Sequence, residues 1–295
     1  ERDFEDGEHK LRPLESVRGA EVFVLQSLYG EPRYSVHDKL VRLLFFIAAL
    51  KDAAAARVTA VLPYLCYARK DRRTKPRDPL ANRYIAQLLE AVGTDRVGVL
   101  DPHNPAAGEN AFRCPLQLLD TARLFADHFA ARLDPGPVVV MSPDTGGIKR
   151  AERLRTALAA RLRREVGSAF LEKYRSSGVV SGSALVGEVR DAQVIILADL
   201  ISTGGPLLRT AGACRRHGAR SVHAAAGHGL FTGAAGEQLA GPALDGIVIT
   251  DSVPPLRLEG TPARARVEVV SVAPLLAEAV RRMHTGGSVV ELLEP

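Results

Sequence analysis

Short β-branched runs alternate with helical stretches along nearly the whole chain, and this rhythm narrows the possible folds more than any other feature. EVFVLQ (21–26), RVTAVL (57–62), VGVLD (97–101), PVVVMSPD (137–144), QVIILAD (193–199), SVHAAAG (221–227), GIVITD (246–251) and VEVVS (267–271) read as strands. Between them, 38–55, 81–93, 118–132, 151–162, 206–219 and 274–284 read as helices, the first with Leu40, Leu43, Leu44, Ile47 and Leu50 at helical spacing. Strand–helix alternation implies α/β architecture, with mainly parallel sheets flanked by helices. Eight major strands over 295 residues suit two domains better than one sheet. The cleanest break is Leu133-Asp134-Pro135-Gly136-Pro137, which predicts domains over 1–136 and 137–295. A closed eight-fold barrel fits less well, because 63–80 and 173–190 read as short helical and loop segments that interrupt the repeat.

Composition removes several classes of function. With 46% hydrophobic and 25% charged residues the chain is globular rather than disordered. Its longest apolar run, Leu43 to Leu50, falls well short of the roughly 18 residues that span a bilayer. No secretory signal pattern is read at the start. Cys66, Cys114 and Cys214 lie far apart and form no metal or disulfide framework, which fits a reduced, cytoplasmic setting. The net charge of +5 points to solubility or to an anionic ligand, and the 5% aromatic content favours small phosphorylated ligands over nucleic acid.

In open α/β sheets ligands bind beyond the carboxyl ends of the strands. QVIILAD ends in Asp199, and after it come Leu200, Ile201, Ser202, Thr203, Gly204 and Gly205, then a helix. Small residues and glycines let backbone N–H groups close around a phosphate, and the helix start adds favourable partial charge. A plain strand-to-helix turn would use the same residues. After PVVVM, Ser142-Pro143-Asp144-Thr145-Gly146-Gly147 repeats the arrangement, with helix capping as the alternative for Asp144. After RVTAVL, six cations fall within residues 69–77, a run that is either a solvated face or a phosphate-binding loop. After VGVLD, Asp101 and His103 sit two apart in a segment read as extended, so both can point one way toward a cation.

Taken together these residues resemble the ribose-phosphate pyrophosphokinase (phosphoribosyl pyrophosphate synthetase) family. The resemblance is carried by DFEDGEHK (3–10), ESVRGAEVFVLQS (15–27), YARKDRRTKPR (67–77), DPH (101–103), SPDTGGIKR (142–150), LEKYR (171–175), ADLISTGG (198–205), HGLFTG (228–233), ITDSVPP (249–255) and APLLAEAVRRMHTGGSV (273–289). The family's first strand and helix are lacking here or lie upstream of Glu1. The resemblance implies two phosphoribosyltransferase-type domains, an N-terminal one binding ATP and a C-terminal one carrying the diphosphate and ribose-phosphate loops. It implies Mg²⁺-dependent transfer of the β,γ-diphosphoryl group of ATP to the anomeric hydroxyl of ribose 5-phosphate, and a homo-oligomer, dimer or hexamer. By resemblance, Phe4, Asp6 and Glu8 lie on the loop that a neighbouring subunit brings to the adenine, and Arg69, Lys70, Asp71 and His103 complete the ATP side. His103 and Asp144 match metal-linked positions, and Asp144, Thr145, Gly146 and Gly147 match the diphosphate loop. Lys173 and Arg175 match a catalytic pair that closes over the transferring group, and Asp199, Ser202, Thr203, Gly204 and Gly205 match the ribose-phosphate loop.

The chain departs from the family's pattern at definite places. Lys70 stands for a usual Gln, Ala198 for the first of two adjacent aspartates, Ser202 for an acidic residue, and Pro206 and Gly227 for threonines. Arg113 and Gln117 occupy positions expected to be acidic. These changes leave two alternatives to ribose 5-phosphate chemistry: a different sugar-phosphate acceptor, or a catalytically weak regulatory paralogue. A phosphoribosyltransferase or a transcription regulator on the same fold is disfavoured by the cation-rich 67–77 stretch and by Lys173 with Arg175.

Overall fold

The computed structural model describes residues 1–176 and 179–293, the side chains of residues 173–183 excepted. The chain forms two compact units, Glu1–Leu119 with Leu275–Leu292, and Asp120–Pro274. The division falls at Leu119/Asp120 rather than near residue 136. The segment 120–136 belongs to the second unit because Phe125, Ala126 and Phe129 are buried in that unit's core.

The first unit opens with a two-residue antiparallel pairing of β1 (Arg2–Asp3) and β2 (His9–Lys10). It continues through β3 (Glu21–Leu25), α1 (Val36–Asp52), β4 (Arg57–Leu62), α2 (Ala81–Ala91), β5 (Arg96–Leu100), α3 (Pro105–Ala111) and β6 (Leu116–Leu119). Strands β3 to β6 form a four-stranded, all-parallel sheet in chain order. Helix α1 starts where Ser35 and Asp38 cap one another: Ser35 Oγ accepts from Asp38 N at 3.2 Å, and Asp38 Oδ2 accepts from Ser35 N at 2.7 Å. Its Leu40, Leu43, Leu44, Ile47 and Leu50 are buried with Val58, Ala60 and Leu62 of β4 and with Ile85, Ala86 and Leu89 of α2. Each buried leucine, isoleucine or valine among them contributes about 1.5–3 kcal/mol. On β5, the hydrogen of Gly98 faces Met283, whose Cε would lie 3.8 Å from an added Cβ.

The second unit runs through α4 (Ala122–Ala130), β7 (Val138–Ser142), α5 (Ile148–Leu162), β8 (Gly167–Ser176), β9 (Val179–Val186), β10 (Gln193–Ile201), α6 (Gly205–Arg216), β11 (Ser221–Gly229), α7 (Ala235–Gln238), β12 (Gly246–Thr250) and β13 (Val267–Val270). Helix α8 (Ala273–Thr285) then returns the chain to the first unit. The seven strands have the order β13-β12-β11-β10-β7-β8-β9, parallel except for the β8–β9 hairpin. Alternate residues of each strand serve opposite faces. Val194, Ile196, Val222, Ala224 and Ile247 join the core that contains Leu207 and Ala211 of α6. Ile195, Leu197, Ala225 and Val248 join the one that contains α4 and α5. A sheet covered on both faces needs apolar side chains at every position, so these strands read as unbroken apolar runs.

Two expected elements differ. The helix read over 118–132 is β6 followed by α4. Leu116–Leu119 pair with β5, and Asp120 Oδ1 accepts from Ala122 N at 3.0 Å to start the helix. The segment 173–190, read as helical and loop, begins within the β8–β9 hairpin. Its polar, glycine-containing pattern gives no buried face to read.

An ionic cluster ties α8 to the sheet of the first unit. Glu21 Oε2 lies 2.9 Å from His284 Nδ1, Glu21 Oε1 lies 3.4 Å from Arg57 Nη1, and Arg96 Nη1 donates to Met283 O at 3.1 Å. The His284 hydrogen bond, with Arg57 beside it, holds the Glu21 carboxyl below its ordinary value of 4.5. A carboxyl depressed in the folded state adds stability above its unfolded pKa and loses it as pH falls through the lower folded value. Glu21→Gln is therefore expected to flatten the loss of melting temperature below about pH 4.5, read by thermal unfolding across the acid range.

Candidate active site

In the second unit β10 lies between β7 and β11, with Ile196 opposite Met141 and Ile201 opposite Gly229. The segments following these three strands therefore emerge side by side at the sheet's carboxyl edge. After β7, Ser142 is buried and its Oγ donates to Asp144 O at 2.5 Å. Asp144 is extended, and its Oδ1 accepts from Gly147 N at 3.2 Å, opening a short 3-10 turn over Thr145–Gly147 that leads into α5. One oxygen of Asp144 thus does serve as a cap. At Gly147 an added Cβ would lie 2.6 Å from Ser142 Oγ, so a larger residue there would push that hydroxyl off its bond to Asp144 O.

After β10, Ser202 and Thr203 lead to Gly204, which is left-handed at φ +81, and Gly205 begins α6. Pro206 sits in the first turn of that helix, where its missing N–H costs nothing to the fold. The residues before the loop face opposite ways. Ala198 packs against the core beneath α6, whereas the Asp199 carboxylate lies 3.9 Å from Arg150 Nη1 of α5. Both side chains of that pair are largely buried, at 12% and 16% exposure. The pair links the helix that follows the first glycine loop to the strand that precedes the second. Next to them, His228 Nδ1 meets Ser252 Oγ at 2.8 Å, and Thr250 Oγ1 donates to Gly227 O at 2.6 Å.

In the first unit the segments following β4 and β5 share the carboxyl edge. The six cations of 69–77 are all exposed, and the segment is irregular rather than a helix face. It is organised around Asp78, whose Oδ2 accepts from Thr74 Oγ1 at 2.7 Å, Lys75 N at 3.0 Å and Thr74 N at 3.1 Å. The Thr74 hydroxyl, with these N–H groups, holds the Asp78 carboxyl below the usual carboxylate range. Lys70 Nζ lies 3.9 Å from it. Asp71 Oδ2 accepts from Asn104 Nδ2 at 2.6 Å, and Asn104 also caps α3, so Asp71 and the His103 segment are brought together. Asp101 is left-handed at φ +41, so the alternation of an extended strand does not apply to Asp101 and His103; Asp101 is buried and His103 exposed. Phe4, Asp6 and Glu8 stand exposed at the turn between β1 and β2, where Phe4 N donates to Glu8 O at 2.9 Å and Glu8 N to Asp6 Oδ1 at 3.1 Å.

The side chains of Lys173 and Arg175 lie outside the described residues. Their backbones belong to β8, with Lys173 opposite Ser183 and Arg175 opposite Val180. Among the described residues no three or more His, Cys, Asp or Glu side chains gather as a metal cage. The candidate donors are instead single side chains, the Asp144 carboxylate in the second unit and the His103 imidazole in the first, each just beyond a strand end. A carboxylate oxygen suits a hard cation that keeps its waters and takes phosphate oxygens, and an imidazole serves such an ion through water. Sequence reasoning passed over Arg150 and Thr232, although SPDTGGIKR and HGLFTG contain them. No spacing rule marks a residue that acts by contacting a neighbouring loop.

Two adjacent glycines separate backbone from packing roles. Gly204→Ala would place a Cβ 2.8 Å from Leu239 Cδ2 in a left-handed conformation, whereas a Cβ on Gly205 meets only Arg209 Nη1 at 3.5 Å and Thr203 Oγ1 at 3.9 Å. Gly204→Ala is expected to lower stability by about 1–2 kcal/mol and Gly205→Ala by less than about 0.5 kcal/mol, measured by urea denaturation.

Comparison with known proteins covers nearly the whole chain. Residues 1–93 match the N-terminal domain of ribose phosphate pyrophosphokinase, and residues 177–294 match the phosphoribosyl synthetase-associated domain. The ribose-phosphate pyrophosphokinase of Caldanaerobacter subterraneus subsp. tengcongensis is 39% identical over 290 residues, covering 98% of this chain and 87% of that protein. That of Caulobacter vibrioides is 38% identical over 299 residues, covering 99% and 91%. The crystal structure of phosphoribosylpyrophosphate synthetase from Mycobacterium smegmatis superposes with a TM-score of 0.85 at 33% identity, covering 97% of this chain and 90% of that one. The same loops that the two sheets present at their carboxyl edges fall within these matches, and the chain belongs to the ribose-phosphate pyrophosphokinase family.

Proposed function

We propose that the chain is an ATP-dependent diphosphotransferase that moves the β,γ-diphosphoryl group of ATP to the anomeric hydroxyl of ribose 5-phosphate, giving phosphoribosyl pyrophosphate and AMP. The observation that carries the reading is the pair of glycine loops, 142–147 and 202–205, side by side at one sheet edge in a chain whose relatives of that name match over nearly their full length.

Each residue then has a definite task. The N–H groups of Ser202, Thr203, Gly204 and Gly205, with the start of α6, take the sugar's phosphate. Asp199, kept in place by Arg150, faces the sugar hydroxyls. The loop Asp144, Thr145, Gly146 and Gly147 takes the diphosphate. Arg69, Lys70 and Asp71 serve the nucleotide, and Phe4, Asp6 and Glu8 receive adenine from a second copy of the chain. That role is supported by the 39% exposure of Phe4 at a turn tip, and it makes the protein a homo-oligomer. In the second unit Asp144 would offer Mg²⁺ a carboxylate oxygen, and in the first His103 would contact Mg²⁺ through water; the ion neutralises phosphate charge when bound. No protein nucleophile is required, because the sugar hydroxyl attacks phosphorus and AMP leaves. The protein's contribution is alignment and positive charge on the transferring group, supplied by Lys173 and Arg175.

A cytoplasmic setting is supported by the cysteines. All three are free thiols, and burial pushes Cys66 up to about 12 and Cys214 up to about 11. Among the described residues no helix is long and apolar enough to cross a membrane.

A different sugar-phosphate acceptor is the second reading, favoured by Ala198, Ser202 and Pro206 in the loop that would meet the acceptor. Incubation with ATP, Mg²⁺ and a panel of sugar phosphates separates the two. AMP release with ribose 5-phosphate is expected, AMP only with another sugar phosphate would favour the second reading, and ADP would indicate an ordinary kinase. Lys173→Ala is expected to lower turnover at least about 100-fold with little change in ATP affinity, as for a contact made in the transition state. Equal losses in both would remove that role.

A further inference from the structure

We infer that Thr232, in the segment following β11, is a positioning residue for the ribose-phosphate loop. It acts through Ser202. The inference rests on the reading of 202–205 as that loop.

The two segments are joined at four points. Leu230 N and Phe231 N both donate to Ile201 O, at 2.8 and 3.0 Å, and Thr232 N donates to Ser202 O at 3.0 Å. The fourth point is between side chains: Ser202 Oγ and Thr232 Oγ1 lie 2.8 Å apart, one hydroxyl donating to the other. The three backbone bonds fix where residues 201 and 202 sit. The hydroxyl pair fixes the direction of the Ser202 side chain at the entrance to the phosphate-binding turn.

Thr232 is itself held firmly. Phe231, just before it, is buried and left-handed at φ +46, an uncommon conformation for an aromatic residue that persists only where its surroundings enforce it. Its ring lies against Gly229, where an added Cβ would stand 2.5 Å from Cε2. Phe231 therefore anchors the segment on the protein side, and Thr232 presents its hydroxyl to Ser202 from a rigid base. On the other side of the turn, Gly204 is pressed against Leu239. The turn is thus gripped at both ends, by Thr232 at its entry and by Leu239 at its apex. The bridge is made of two neutral hydroxyls and so adds no charge to the loop.

Thr232→Val keeps the shape and removes the hydroxyl. The expected result is a rise of about 3- to 10-fold in KM for ribose 5-phosphate, with kcat and KM for ATP within about twofold of the starting protein. Thr232→Ser should restore the KM, and Ser202→Ala combined with Thr232→Val should cost no more than either alone. Amide hydrogen exchange at residues 203–205, measured without substrate, should quicken in Thr232→Val and stay unchanged in Thr232→Ser. If Thr232→Val fails to fold, Ser202→Ala compared with Ser202→Thr makes the same comparison. An unchanged KM, parallel loss of kcat and ATP affinity, additive effects in the double variant, or unchanged exchange would overturn the role. Absence of AMP release by the unaltered protein would overturn the activity instead, and the exchange measurement would still decide whether Thr232 holds the loop.

Discussion

The parallel pairing of β10 with β7 on one side and β11 on the other sets the spacing of everything at the second unit's functional edge. Because the three strands run the same way, the segments that follow them leave from the same edge of the sheet. Ser202 then meets Thr232, and Asp199 meets Arg150, although the members of each pair are far apart in sequence. The apolar side chains of those strands serve this arrangement. Val140, Ile195 and Ala225 on one face, and Met141, Ile196 and Ala226 on the other, hold the sheet between two helical layers. Polar residues are left to the loops.

The loops themselves are rigid in different ways. The first glycine loop is closed by side chain-to-backbone bonds from Ser142 and Asp144. The second is gripped by neighbours, with Thr232 at its entry and Leu239 at its apex. The cation-rich loop of the first unit is built around the single carboxylate of Asp78, which leaves its arginines exposed. A loop that binds a phosphate group benefits from the first two designs, because its N–H groups must already point inward. One that meets a flexible polyphosphate tail can rely on mobile guanidinium groups instead.

Much of this was legible from residue patterns, and the exceptions share a cause. Helices such as Val36–Asp52 are readable because their burial repeats at helical spacing, and strands such as Arg57–Leu62 because they are short, continuously buried β-branched and apolar runs. Leu118 and Leu119 read as the start of a helix because a four-residue strand, here three leucines and Gln117, carries no period of its own; its identity comes from pairing with β5. The unit boundary was misplaced because Pro135 and Gly136 mark a turn, while the helix before them packs into the sheet after them. In the site, glycine loops and acidic strand ends stand out in sequence. The Arg150–Asp199 pair, the Ser202–Thr232 bridge and the left-handed turn at Asp101 do not, because each depends on segments meeting in space.

The return of α8 to the first unit sets an order for birth on the ribosome. Synthesis delivers β3 to β6 early, yet the helix that carries Met283 to Gly98 and His284 to Glu21 emerges only after the whole second unit has been made. The nascent first sheet must therefore wait for these contacts until its successor has been made. A protein built this way is exposed to chaperones and proteases for the length of that interval. Shortening the chain after β13 would prolong the interval indefinitely.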